Sequence, residues 1–249
     1  MQRTLQAIGE HAAAIRERAP QFRIIATSAL RRADNEAQFD ERVRALTGAG
    51  IEIISGEEEA ACSFAGAVSG IPAGGGRLGV LDVGGGSSEY AVGTSSEPEQ
   101  VVSCEIGAVR LTEAFPALSG GGELVQSSML EEAASFARKS LQPALAFDAV
   151  EQLVLVGGSA TTTVSLVRGA REFFAYAPLR QTEIQKWIHR LAETPLEERK
   201  ALPGMNPQRA DILLAGLVII GEMVRECGCS TPLVSTNDVL LGYLLRHPL

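Results

Sequence analysis

Lysine is scarce in this 249-residue chain: of 22 basic residues only Lys139, Lys186 and Lys200 are lysines, and the rest are arginines. With 30 acidic residues the formal net charge is −8, and the isoelectric point is ≈ 5.1. That balance has the wrong sign for non-specific binding to nucleic acid or to an anionic membrane. If the substrate is itself an anion, a metal or a local cluster of donors must overcome the protein's own field. Histidine is as sparse. His11, His189 and His247 lie far apart, which gives little support to a histidine triad or a zinc site. The four cysteines, Cys62, Cys104, Cys227 and Cys229, have neither zinc-finger nor Cys-x-x-Cys spacing. They read as buried or idle thiols of a reducing cytoplasm. The longest uncharged apolar run is Ile212–Gly221, half of the roughly 20 residues a membrane span requires. The segment Met1-Gln2-Arg3-Thr4-Leu5 lacks a signal-peptide core.

What is present is a globular composition, 45% hydrophobic and 21% charged, which argues against disorder. Leu5, Ile8, Ala12 and Ile15 share a face of a helix predicted over residues 2–18. Strands are predicted at 22–27 and 51–55, with helices at 35–48 and 57–68. Ile71–Gly76, Ile-Pro-Ala-Gly-Gly-Gly, is the best linker candidate. It divides a first part, 1–76, from a second, 77–236, with the last helix, 237–249, free to pack back on the first. The second part opens with three short strands, 78–83, 88–93 and 100–104. Helices at 107–115 and 123–140 follow, then a strand at 153–156 and a helix at 160–168. Helices at 181–193 and 207–226, a strand at 233–235 and a helix at 238–246 complete it. Both parts are of α/β type, but the first lacks the opening three-stranded unit of the second.

The strongest chemical signal is Val80-Leu81-Asp82-Val83-Gly84-Gly85-Gly86-Ser87-Ser88-Glu89. A buried strand ends in an acid, a glycine turn follows, and a second strand begins. Successive glycines let the backbone approach a ligand and point N–H groups into one concavity that suits phosphate oxygens. Asp82 at the strand end is placed to hold a hard cation such as Mg²⁺, and Glu89 can reach the same pocket across the turn. The plainer alternative is a glycine hairpin with solvated acids. A second glycine turn, Gly157-Gly158-Ser159, lies between a strand and a helix start, where free N–H groups favour anions; such a turn also serves as a simple N-cap. Gly56-Glu57-Glu58-Glu59-Ala60 opens a helix straight after a strand. The helix dipole accounts for Glu57 and Glu58, whereas a carboxylate facing a cleft can orient and deprotonate water. Ala26-Thr27-Ser28-Ala29-Leu30-Arg31 combines hydroxyls and arginine at a strand end, a phosphate contact or a polar loop capped by Asn35. Arg209 and Asp211 are either a helix-surface pair or cleft residues.

In this order, Ala-Thr-Ser-Ala-Leu-Arg at 26–31, Ile-Ser-Gly-Glu-Glu-Glu-Ala at 54–60, Leu-Asp-Val-Gly-Gly-Gly-Ser-Ser-Glu at 81–89, Gly-Gly-Ser at 157–159 and the Arg209/Asp211 helix resemble the exopolyphosphatase/guanosine pentaphosphate phosphohydrolase family. That family belongs to the actin-like ATPase and sugar-kinase superfamily, and the resemblance runs over nearly the whole chain. It implies an α/β fold of two ribonuclease-H-like domains flanking a cleft. It also implies Mg²⁺-dependent release of terminal phosphate from inorganic polyphosphate or guanosine pentaphosphate. Glu59 matches the general base for the attacking water, and Asp82 and Glu89 the acids that organise metal and water. Gly84, Gly85, Gly86, Ser87, Gly157, Gly158 and Ser159 match phosphate-contacting turns. Thr27, Ser28 and Arg31 match first-domain phosphate contacts. This division of labour suits phosphoryl transfer, where the catalyst positions, neutralises charge and orients the nucleophile.

The family pattern begins with a strand–turn–strand carrying an Asp-x-Gly-Ser-Asn-type loop, absent here, so the first domain is expected to lack its N-terminal strands. Where the family usually has Arg-Glu-Gly, this chain has Asp238-Val239-Leu240-Leu241-Gly242. A catalytically impaired phosphate- or nucleotide-binding or regulatory protein of the same family is therefore the alternative, and an ATP-using kinase of the superfamily a third. A first sheet without those strands has an open edge, and open edges invite pairing; homodimerisation is expected, with no nucleic-acid or membrane partner.

Overall fold

The computed structural model describes residues 2–19, 21–72, 76–94, 97–122, 124–171 and 175–248. Its contacts gather residues 1–58, with Leu249, into one compact unit and 59–248 into another.

In the first unit, α1 (Gln2–Arg16) is followed by β1 (Ile24–Ala26), the single turn α2 (Ser28–Arg31), α3 (Glu36–Thr47) and β2 (Ile51–Ile53). The strands pair in parallel, Ile24 opposite Ile51 and Ala26 opposite Ile53. The segment expected as a polar loop at 28–31 is thus a helical turn, and the Arg31 guanidinium donates to the Ile54 carbonyl at 2.9 Å. α4 (Gly56–Val68) starts where the Ser55 hydroxyl accepts from the Glu58 N–H at 3.1 Å, an N-cap that satisfies a helix-end donor.

The second unit is built on a six-stranded mixed sheet. Its strands are β3 (Leu78–Val83), β4 (Ser88–Gly93), β5 (Gln100–Cys104), β6 (Gln152–Val156), β7 (Tyr176–Pro178) and β8 (Leu233–Ser235). They lie in the order β5-β4-β3-β6-β8-β7. β3 to β5 form the expected antiparallel meander, while β3, β6 and β8 are parallel. β7 carries no readable signal: it is three residues long, ends in Pro178 and lies on the edge of the sheet, where a missing N–H is tolerated. The helices are α5 (Ala108–Ala114), α6 (Ser127–Ser140), α7 (Gln142–Leu145), α8 (Gly157–Arg168), α9 (Gln181–Ala192), α10 (Leu196–Lys200), α11 (Leu213–Glu226) and α12 (Val239–Arg246). The helix expected over 207–226 is split into a 3₁₀ turn, Pro207–Arg209, and α11. Pro207 fits an N-terminal turn but cannot donate within a longer helix.

Strand alternation sends successive side chains to opposite faces and so decides what each face meets. Leu81, Val83, Leu153 and Leu155 join the larger core with α8, α9 and the almost wholly buried α11. Leu78, Val80, Val154 and Val156 face the other way and pack with Ala60, Phe64, Ala67 and Val68 of α4. From Glu59 to Val68 every residue of α4 is buried. This helix, expected with the first part of the chain, is therefore a cover for the second unit's sheet. α12 lies on α4 in turn. A Cβ on Gly66 would stand 2.1 Å from the Asp238 carbonyl oxygen, and one on Gly242 only 1.7 Å from that of Cys62, so the two backbones touch where both side chains are absent. The linker candidate falls partly on residues 73–75, outside the described residues. Among the described residues no helix is long and apolar enough to cross a membrane.

Candidate active site

Asp82 has the parity of Leu78 and Val80, so it projects to the α4 face of the sheet. Its cross-strand partner on β4 is Glu89, and opposed residues of an antiparallel pair share a face, with Cβ atoms about 5 Å apart. On α4, Glu59 and Ser63 are four residues apart and therefore neighbours on one helix face. The Ser63 hydroxyl donates to Asp82 Oδ2 at 2.8 Å. The 8% exposed Glu59 acts electrostatically on both Asp82 and Glu89. Glu59 of α4 thus joins the hairpin pair Asp82 and Glu89 at the carboxyl end of β3.

Burial first, and then repulsion from Glu59 and Asp238, raise the Asp82 carboxyl to about 6; the Ser63 hydrogen bond and Arg209 oppose the rise. Glu89, 1% exposed, is raised to about 8, first by burial and next by Glu59, against hydrogen bonds from Ser103 and Ser87. The Ser103 hydroxyl lies 2.7 Å from Glu89 Oε1. An all-oxygen donor set whose members repel one another fits a hard divalent cation. Asp82 is partly exposed, whereas Glu89 is buried and receives serine hydroxyls.

The two glycine turns are adjacent because Asp82 pairs with Val156, the last residue of β6. In the first turn the Gly84 carbonyl accepts from Ala108 N–H at 2.9 Å and the Gly85 carbonyl from Val109 N–H at 2.9 Å. The turn's carbonyls are therefore spent on the first N–H groups of α5. Ser87 and Ser88 are buried, and the Ser88 hydroxyl donates to the Ile106 carbonyl at 2.6 Å.

The second motif is not a separate loop: Gly157 and Gly158 are the first residues of α8 itself. Gly157 has φ +85°, a left-handed conformation disfavoured for residues with a Cβ, and a Cβ there would meet Asp82 Oδ1 at 2.7 Å. At Gly158 a Cβ would lie 2.0 Å from Arg209 Cζ, so the bare backbone is the bed on which that guanidinium rests. Ser159, by contrast, is 1% exposed and turned toward α11, its hydroxyl 2.2 Å from where a Gly216 Cβ would be.

The structure thus brings together Glu59, Asp82, Glu89, the 84–87 turn, Gly157 and Gly158, and it directs Ser159 into the core. Of the Arg209/Asp211 pair it brings Arg209 to the cluster, and it adds Asp238, which was visible in the sequence only as a departure from the Arg-Glu-Gly pattern. Thr27, Ser28 and Arg31 belong to the first unit. Thr27 precedes α2, Ser28 is buried, and Arg31 holds the Ile54 carbonyl.

An acid cluster and glycine turns at the carboxyl ends of the central strands, on a sheet of this order, define a class: enzymes of the actin-like fold. Within that class the chain belongs to the Ppx/GppA phosphatase family, whose model matches residues 1–246. It is 32% identical over 243 residues to exopolyphosphatase 2 of Mycobacterium tuberculosis, covering 91% of this chain and 75% of that one. It is 31% identical over 207 residues to the guanosine-5'-triphosphate,3'-diphosphate pyrophosphatase of Vibrio vulnificus, covering 81% of this chain and 40% of that one. Among solved structures, the PPX-GPPA enzyme of Aquifex aeolicus superimposes with a TM-score of 0.82 at 29% identity, covering 99% of this chain and 82% of that one.

Proposed function

We propose that this protein is a Mg²⁺-dependent phosphohydrolase that releases terminal phosphate from inorganic polyphosphate or guanosine pentaphosphate. The observation that carries the reading is the convergence of Glu59, Asp82 and Glu89 beside Gly157 and Gly158. Glu59 accepts a proton from a water molecule as its oxygen bonds to the terminal phosphorus. The bond from that phosphorus to the bridging oxygen breaks, leaving orthophosphate and a chain shorter by one phosphate. Asp82 and Glu89 are the residues assigned to Mg²⁺, which when bound supplies positive charge against the phosphate oxygens. Gly84, Gly85, Gly86 and Ser87 and the start of α8 are assigned to the phosphate oxygens. Backbone N–H groups and arginine supply positive potential without a basic surface, which fits a net charge of −8.

The similarity to an exopolyphosphatase and to a guanosine nucleotide pyrophosphatase supports both substrates. No disulfide joins Cys62, Cys104, Cys227 or Cys229, in keeping with the proposed cytoplasmic, reducing setting. We further propose a homodimer formed along β1, which is paired on one side by β2 and has no strand on the other among the described residues.

The test is phosphate release from each substrate with and without Mg²⁺. Removal of a positioned base costs roughly 10²–10⁴-fold in rate, and Glu59→Gln is expected to lose at least about 10²-fold while still binding substrate. Robust release by that variant removes the assigned base, and release without Mg²⁺ removes the metal.

A further inference from the structure

Ser63 places a hydroxyl within an apolar stretch of α4, Ala60-Ala61-Cys62-Ser63-Phe64, and is 1% exposed. A buried hydroxyl needs a partner. Within a helix the nearest one is the carbonyl four residues back, and other helical hydroxyls of this chain take it. The Thr112 hydroxyl donates to the Ala108 carbonyl at 2.8 Å, Thr163 to that of Ser159 at 2.7 Å and Ser165 to that of Thr161 at 3.1 Å. For Ser63 that acceptor would be the Glu59 carbonyl. Its hydroxyl instead donates across to β3, to Asp82 Oδ2 at 2.8 Å.

The bond falls on one oxygen of the carboxylate. Asp82 Oδ1 faces the start of α8, 2.7 Å from where a Gly157 Cβ would be, and among the described residues nothing donates to it. The last torsion of an aspartate is broad and roughly two-fold, so a carboxylate that nothing holds presents either oxygen. A donor fixed on Oδ2 ends that exchange. The donor is itself immobile, because Ser63 stands on a helix that is buried from Glu59 to Val68. It follows Glu59 by one turn on the same helix face. The group that holds Asp82 and the group assigned to the attacking water therefore belong to one rigid element.

We propose that Ser63 is a positioning residue of this site: by occupying Asp82 Oδ2 it leaves Oδ1, turned to the start of α8, as the oxygen offered to the cation. The assignment rests on the Mg²⁺-dependent phosphohydrolase reading above and adds to it the residue that orients a metal ligand. Partners of this kind fix the direction and the basicity of the group that binds the ion.

The experiment compares the full-length wild-type protein with Ser63→Ala, Ser63→Thr and Ser63→Cys. Mn²⁺ binding is read from the loss of the free-ion signal in electron paramagnetic resonance. Phosphate release from sodium tripolyphosphate is followed across a range of Mg²⁺ concentrations, and the urea midpoint is recorded for each protein. Removing the partner of a metal ligand costs about 10–100-fold in affinity or activity. We expect Ser63→Ala to weaken Mn²⁺ at least about tenfold and to raise the Mg²⁺ concentration for half-maximal release by a similar factor. The rate at saturating Mg²⁺ should stay within about threefold of wild type. Ser63→Thr, which keeps the hydroxyl, restores most of the loss; Ser63→Cys, whose thiol is a weak donor, does not. If Ser63→Ala fails to fold, the Thr and Cys variants decide in the same terms. Unchanged Mn²⁺ affinity and Mg²⁺ dependence in Ser63→Ala overturn the proposal. So does a rate lowered equally at every Mg²⁺ concentration with a lowered urea midpoint, the result of a packing role alone. A wild-type protein that binds Mn²⁺ through Ser63 without hydrolysing defeats the phosphohydrolase reading alone. One that binds Mn²⁺ and hydrolyses with Ser63 indifferent defeats the positioning role alone, and one that binds no Mn²⁺ and needs no Mg²⁺ removes both the cation and the role.

Discussion

Burial, and then repulsion from Glu59, raise the Glu89 carboxyl to about 8, well above the range of a free carboxyl. Asp82 follows the same logic more mildly. The sign is that of raised carboxyls. The folded state keeps protons the unfolded chain has already released, so their contribution is complete below the usual carboxyl range. It is lost as pH rises through about 6 for Asp82 and about 8 for Glu89. We therefore expect the urea midpoint of the metal-free protein to fall between pH 5 and pH 8. Glu89→Gln, which mimics the neutral form, should flatten the upper part of that fall; a midpoint flat in the parent protein removes the argument. If Asp82 and Glu89 hold Mg²⁺ as proposed, the ion displaces the same protons. Its affinity is expected to rise with pH across this window, with proton release measurable by calorimetry in two buffers of different ionisation enthalpy.

At the scale of elements, glycine and arginine decide how segments meet. α8 begins at the very end of β6 because Gly157 takes a left-handed turn that a Cβ would disfavour. The turn that carries Arg209 into the site is held from behind by Arg199, a fully buried residue. Arg199 Nε donates to the Thr194 carbonyl and Nη1 to the Leu118 carbonyl, both at 2.8 Å, and Nη1 also reaches the Ala210 carbonyl at 3.4 Å. Burial pulls its guanidinium down to about 10, still cationic at neutral pH. Each carbonyl left without a donor costs roughly 1–3 kcal/mol, so Arg199→Ala is expected to destabilise the protein by about 3 kcal/mol or more, read as a lowered urea midpoint. An unchanged midpoint would show that water replaces the guanidinium. The meander β3–β5 was legible residue by residue, since apolar strands punctuated by glycine leave few alternatives. β7, α7 and α10 were not, because segments of three to five residues are specified by what they pack on rather than by their own periodicity.

At the scale of the molecule, the first unit's sheet has two strands and the second unit's six. The free side of β1 motivates the proposed homodimer, and light scattering at micromolar concentration is expected to give about twice 26.3 kDa; a stable monomer rejects it. By itself, the amino-acid sequence determined the α/β class, the order of the strands and helices around the two glycine motifs, and the candidacy of Glu59, Asp82 and Glu89. Those are properties of local pattern and of short motifs. Only the tertiary structure decided that α4 covers the second sheet, that Ser159 turns into the core, and that Arg209 and Asp238 act on Asp82. Those outcomes depend on strand register and helix packing, which bring together residues dozens of positions apart and leave no trace in any one stretch of sequence.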